Sequence, residues 1–464
     1  MLSRVAAFTA PRTHNRRRVT GSSGRRMEGR ESEPQRPTMS RRVFHSAVLL
    51  PLLIVMWMCS NNCGAVSAQE REANDGSKFF RFPLKDSSGR SASGVVKLPQ
   101  GIDLFVSQTT QVVPKSGGAS VTEGNLFTSP SLVSAGRVMA AFAESHMPPD
   151  PARGTPNKPI SDVVAGYIDT AWDWSTLVGE VNNSKWRAHT VLSAAEGEER
   201  LGVVLRPTTA TKGNRVFLLA GRSDEFFLGN EWKQKNLDLK LVVGDVTNPT
   251  AGSKPSGWIT WGTPKSLSPN NSANSENKLA KVLPSGGSGV VMEDGTLVFS
   301  LLSKMQAGDD YSMIIYSTDN GNNWVFPEGV PPANCTEPRT TEWGASLLMI
   351  VDCDNGQKVY ESRDKGKTWE EAVGKLLGVW VNSGSRHPRD LSLYVGALIT
   401  ATVEGRKVML YTQKSFLSTR EENEWVTAFY LWVTDNNRSF SVGPVAAGTA
   451  VNWEACQHPG VLGW

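Results

Sequence analysis

From Asp103 onward the chain alternates short apolar runs with glycine, proline and asparagine. Examples are RVMAAFAE, RVFLLAGR, LKLVVGDV, WITWGTP, GVVMEDGTLVFSLL, SMIIYSTDNGNNW, SLLMIVDC, KVYESRDKGKTW, KVMLYTQ and AFYLWVTDN. None is long enough, or has the right spacing, for a buried helix. Runs of this length between turn residues, recurring about every ten residues, predict β-strands in a sandwich, barrel or propeller.

Two stretches choose among those architectures. STDNGNNW (Ser317 to Trp324) and SRDKGKTW (Ser362 to Trp369) carry Ser, Asp, Gly and Trp at matching places, 45 residues apart. A period of that size holding four strands is one propeller blade. Each octet follows one strand pattern and precedes another, so it belongs in a turn. There Ser317, Asp319 and Gly321, like Ser362, Asp364 and Gly366, bond or bend the backbone, while Trp324 and Trp369 pack inward. A weaker copy, EVNNSKW (Glu180 to Trp186), places its tryptophan three blade lengths upstream of Trp324. Turns repeated around separate blades do not converge on one substrate, which argues against a catalytic role for Asp319 and Asp364.

Composition agrees, with 43 Gly, 15 Trp and only seven Tyr among 464 residues. The net charge of +4 hides an asymmetry. Residues 1–68 hold 11 Arg against Glu28, Glu31 and Glu33, leaving 38 basic and 42 acidic residues in the remainder. The basic start leads into the apolar run Ala47 to Cys59 and a small-residue cleavage pattern ending at Ala68, which reads as a secretory signal peptide. Its thirteen residues fall short of the roughly 20 needed to span a bilayer. The expected organisation is an N-terminal extension and signal over 1–68, a flexible leader over 69–102 and a propeller over 103–464. The product is then secreted or surface-associated, with no nucleic-acid partner and no membrane span after signal removal. Sequons at Asn182, Asn270, Asn334 and Asn437 agree with export. Cys335, Cys353 and Cys456 remain after cleavage, enough for at most one disulfide. The six histidines lack metal-ligand spacing, and SGGSG (Ser285 to Gly289) lacks the context of a phosphate loop, so no cofactor or metal is expected.

Ser-x-Asp-x-Gly-x-Thr-Trp is the Asp-box of sialidases. SRDKGKTW, including Thr368, matches it in full, and STDNGNNW departs only at Asn323. With SPSLVSAGRVMAAFAE, VVGDVT, WITWGTPKSL and LWVTDNNRSFSVG, the chain from about Asp103 to Val445 resembles the trypanosome trans-sialidase superfamily. The resemblance implies an all-β, six-bladed propeller, here with the last blade expected to be incomplete and the lectin-like C-terminal domain expected to be absent. It also implies three arginines that clamp the sialic acid carboxylate, a tyrosine nucleophile with an activating glutamate, and an aspartic acid/base.

Position by position, much of that machinery is replaced. Thr128, in FTSP, stands where the first arginine is implied. FRFP (Phe80 to Pro83) keeps that motif about 45 residues upstream, outside the blade pattern. Gly356 and Gln357 occupy the second arginine's place, and Arg206 replaces an aspartate of the N-acyl pocket. Glu342, in TEW, matches the activating glutamate as a relic, Asp150 is the candidate acid/base, and no tyrosine follows Tyr430. The expectation is a catalytically inactive member that binds sialylated or other glycans and host glycoproteins, with an active exo-α-sialidase or trans-sialidase as the alternative.

Overall fold

In this computed structural model the described residues are 80–85, 91–96, 101–115, 122–124, 126–146, 161–193, 203–228, 231–250, 252–268, 279–305, 309–332, 334–354, 356–376, 379, 395–418 and 425–450. All belong to one unit, Val43–Trp464. The strands expected from the apolar runs are all present.

They form successive antiparallel meanders. The first joins Leu126–Ala135, Val138–His146, Ser161–Asp169 and Arg187–Leu192. The second joins Val203–Lys212, Arg215–Leu228, Glu231–Val246 and Ile259–Trp261. The third is built on Leu279–Pro284, Leu297–Met305 and Asp310–Ser317, with Val325 bridging Tyr316 as a stub of a fourth strand. The fourth is Cys335–Trp343, Ser346–Cys353, Gly356–Ser362 and Glu370–Glu371. The fifth is Val395–Val403, Arg406–Ser418, Trp425–Thr434 and Ser439–Ala450. The described residues thus hold five of the six blades the resemblance implies, and the last of the five has all four strands.

Packing between neighbouring blades forms the core. Val204, Leu218 and Val242 of the second blade meet Phe142 and Ala165 of the first. Phe217 and Leu241 meet Phe299 and Ile315 of the third blade, Ile314 meets Leu347 and Met349 of the fourth, and Leu348 and Val359 meet Met409 and Tyr411 of the fifth. Each blade buries both faces, so its strands read as nearly continuous apolar runs. The inner strands also approach one another, since Gly287 and Ser288 run parallel to Thr208 and Thr209.

Two features differ from the sequence reading. The leader contains a hairpin, Phe80–Lys85 paired with Ser91–Val96, where a flexible segment was expected. FRFPLK alternates apolar and other residues, a pattern that suits a short strand. The weak octet copy shares its interval with a helix, Trp174–Val181, capped by the Asp173 carboxylate on the Thr176 N–H at 2.7 Å.

Candidate functional site

The two octets are near-identical turns between the third and fourth strands of their blades. Ser317 Oγ donates to Asp319 Oδ1 at 2.8 Å and accepts from the Gly321 N–H at 2.9 Å. Ser362 repeats both contacts with Asp364 and Gly366, at 2.9 and 2.7 Å. The second carboxylate oxygen takes Thr368 Oγ1 at 2.6 Å in one turn and Asn323 Nδ2 at 2.6 Å in the other. The asparagine therefore replaces the threonine bond for bond. These hydrogen bonds lower both carboxyls to about 2. Trp324 stacks on Phe299, whereas Trp369 buries its Nε1 without a partner among the described residues. The fifth blade holds a turn that the sequence reading missed. Asp435 Oδ1 accepts from the N–H groups of Asn437 and Arg438, and Asn436 has φ 70°. Its only signal was Asp435 directly after a strand pattern.

The blade ends opposite these turns converge on the axis. Three inner strands carry the same irregularity there. Ser129, Arg206 and Glu337 have φ of 50°, 53° and 50°, and each precedes a proline. Strand pairing skips each pair, jumping from Thr128 to Ser131, from Leu205 to Thr208 and from Thr336 to Arg339. Proline has no N–H for the ladder, so the X-Pro pair bulges, and a left-handed non-glycine costs on the order of 1–3 kcal/mol.

The bulges deliver a linked set of polar groups. Glu144, 4% exposed, accepts from Thr128 Oγ1 at 2.9 Å and from the Arg206 N–H, and lies 3.2 Å from His146 Nε2. Burial pushes its carboxyl up, but the bonds from His146, Arg206 and Ser129 hold it below the ordinary value. Arg206 Nη1 reaches Glu337 Oε1 at 3.0 Å, and Arg339 Nη2 reaches Oε2 at 3.4 Å. Arg339 also donates to the carbonyls of Ser285 at 3.2 Å and Gly396 at 3.2 Å. Burial raises the Glu337 carboxyl, and the two guanidinium groups more than offset this.

Beside this network a 320 Å³ cavity is lined by Asp310, Asn334, Thr336, Asp352, Cys353, Asp354, Gly356 and Gln357. The Cys335–Cys353 disulfide, one of the pairings the cysteine count allowed, closes its edge. Gln357, 8% exposed, donates through Nε2 to Asp352 Oδ1 at 2.7 Å. Burial raises the Asp352 carboxyl to about 6.

The structure thus brings Thr128, Arg206, Gly356 and Gln357 to one end of the molecule. Glu342 is not among them. It lies five residues past Glu337, toward the other end of the same strand. Its Oε2 accepts from the Glu293 N–H at 2.9 Å, near Lys407. Glu337, two residues before Arg339 in EPR, is the carboxylate that pairs with both Arg206 and Arg339. Asp150 and Asn270 lie outside the described residues, while Asn182, Asn334 and Asn437 are exposed. Tyr167, Tyr360 and Tyr411 are buried between blades, and burial raises each phenol. Among the described residues no group of three or more His, Cys, Asp or Glu could hold a metal ion, and no helix is long and apolar enough to cross a membrane.

The BNR repeat-like domain family matches residues 129–456, most of the blade region. The chain belongs to this family, within the trypanosome trans-sialidase superfamily. A Trypanosoma cruzi protein named Sialidase 85-1.1 is 54% identical over 423 residues, covering 90% of this chain and 54% of that protein. A second Trypanosoma cruzi sialidase is 32% identical over 62% of this chain and 24% of its own length. The chain therefore spans about half the length of the first relative and about a quarter of the second. Trypanosoma rangeli sialidase in complex with sialic acid superposes with a TM-score of 0.58 at 27% identity, over 75% of this chain and 52% of that one. The fold is accordingly an all-β propeller of the sialidase type.

Proposed function

We propose that this trans-sialidase-superfamily propeller is secreted or surface-associated, catalytically inactive, and acts by binding glycans or host glycoproteins. The observation that carries the reading is the ion pairing at the axis. The guanidinium groups of Arg206 and Arg339 are both engaged by Glu337. A charge-assisted hydrogen bond to a carboxylate contributes about 1.5–3 kcal/mol, so a sialic acid carboxylate would have to displace an internal one already in place. Thr128, where the resemblance implies an arginine, is committed to Glu144. The phenols of Tyr167, Tyr360 and Tyr411 sit in apolar packing that disfavours the phenolate a nucleophile needs. A disulfide agrees with passage through an oxidising compartment.

The test is hydrolysis of 4-methylumbelliferyl sialoside by the purified secreted protein, paired with a glycan array. The expected result is fluorescence no greater than that of a boiled control, together with retention on glycans. Turnover above the control would instead establish an active sialidase.

A further inference from the structure

We propose that Asn334 carries an N-linked glycan, and that this glycan stands over the axial end of the propeller and keeps large molecules from it. The inference rests on the reading of this chain as an exported protein and adds a modification that acts on one particular end of the fold.

Three sequons have a described asparagine: Asn182-Asn183-Ser184, Asn334-Cys335-Thr336 and Asn437-Arg438-Ser439. All three asparagines are exposed. The blades sort them. Asn182 caps the helix between the third and fourth strands of the first blade, and Asn437 lies in the turn between the third and fourth strands of the fifth. That is the end that carries the octet turns. Asn334 instead immediately precedes Cys335–Trp343, the inner strand of the fourth blade, and Glu337 follows on that strand. Its backbone is fixed, with φ 57° and its N–H donating to the Asp310 carbonyl at 2.8 Å. A sugar attached there starts from a set place on the rim of the cavity that Thr336, Gly356 and Gln357 also line. An N-linked oligosaccharide is bulky and hydrated, so it covers the ground beside its root. The covered ground includes the place where the resemblance implies the second arginine.

The fold also dates the modification. Cys335 is bonded to Cys353, and Thr336 pairs with Asp352, so in the folded protein the sequon hydroxyl belongs to a strand ladder. Transfer therefore precedes closure of that hairpin. Asn334 Nδ2 forms a bond to the anomeric carbon of a lipid-pyrophosphate-linked oligosaccharide. The lipid pyrophosphate leaves with the electron pair of the broken C–O bond, and the amide gives up one proton to a base of the transferase.

The experiment starts from the full chain secreted by a eukaryotic cell, deglycosylated by peptide N-glycosidase in heavy-oxygen water and read by peptide mass spectrometry. Asn334 should appear as heavy-oxygen aspartate. Secreted protein without that label would overturn this inference alone, whatever Asn182 and Asn437 carry. A chain that is never secreted would overturn the export reading with it. Screening is read separately, by carbodiimide coupling of an amine-terminated polyethylene glycol to exposed carboxylates. Asp354, on the cavity wall, should couple about twofold faster or more in Asn334→Gln, and also in folded wild-type protein stripped of its glycan. Asp245, exposed on the second blade, should couple at one rate in all three proteins. Equal rates at Asp354 would mean an occupied sequon that screens nothing, and would reject the inference.

Discussion

Asp319 and Asp364 each organise a turn by accepting from a serine hydroxyl, a backbone N–H and a side chain four residues on. Their carboxyls fall from the ordinary 3.8 to about 2, so the folded state prefers them ionised. The associated stability is complete above about pH 4 and is lost as pH falls through about 2. Asp364→Ala should therefore melt several degrees below wild type at pH 7, with the gap closing toward pH 2 in a calorimetric series. Asp352 behaves in the opposite sense. Burial lifts it from 3.8 to about 6, the folded state holds the proton more tightly, and ionisation removes stability as pH rises across that interval. Asp352→Asn keeps the Oδ1 acceptor for Gln357 and should melt several degrees above wild type at pH 7.5 but no higher at pH 4. A melt equal to wild type at both pH values would contradict the burial argument.

The turns also set how blades meet. A Cβ on Gly321 would lie 2.6 Å from Phe217 Cε1 of the preceding blade, and one on Gly366 would lie 2.8 Å from Ile314 Cδ1; both glycines have φ of 84°. Gly366→Ala should cost more than about 1 kcal/mol in a urea titration, because neither the backbone conformation nor the space accommodates the methyl group. The octets were fully legible in the sequence, since each is a local device whose residues bond to one another. The X-Pro bulges were not. SP, RP and EP lie in different sequence contexts, and only the strand register reveals that Ser129, Arg206 and Glu337 occupy equivalent positions.

Across the whole molecule, the propeller was readable from strand spacing and the 45-residue period, because each blade repeats one solution to burying two faces. The axial network was not readable. It joins Glu144, Arg206 and Glu337 over nearly 200 residues of chain, and no local pattern records such a meeting. The disulfide acts at this scale as well. It closes a separation of 18 residues, for which chain entropy gives about 3 kcal/mol. A Cys335→Ser/Cys353→Ser double variant should lose stability of that order in chemical denaturation.

The proline-backed bulges carry one more implication. In each, strand pairing resumes on both sides of the skipped pair, so the residue before the proline stands outside the ladder that forms the blade. Serine, arginine and glutamate already share one mounting. A lineage can therefore exchange the chemistry displayed at the hub while the surrounding frame stays unaltered, and loss or gain of an enzymatic role needs no refolding.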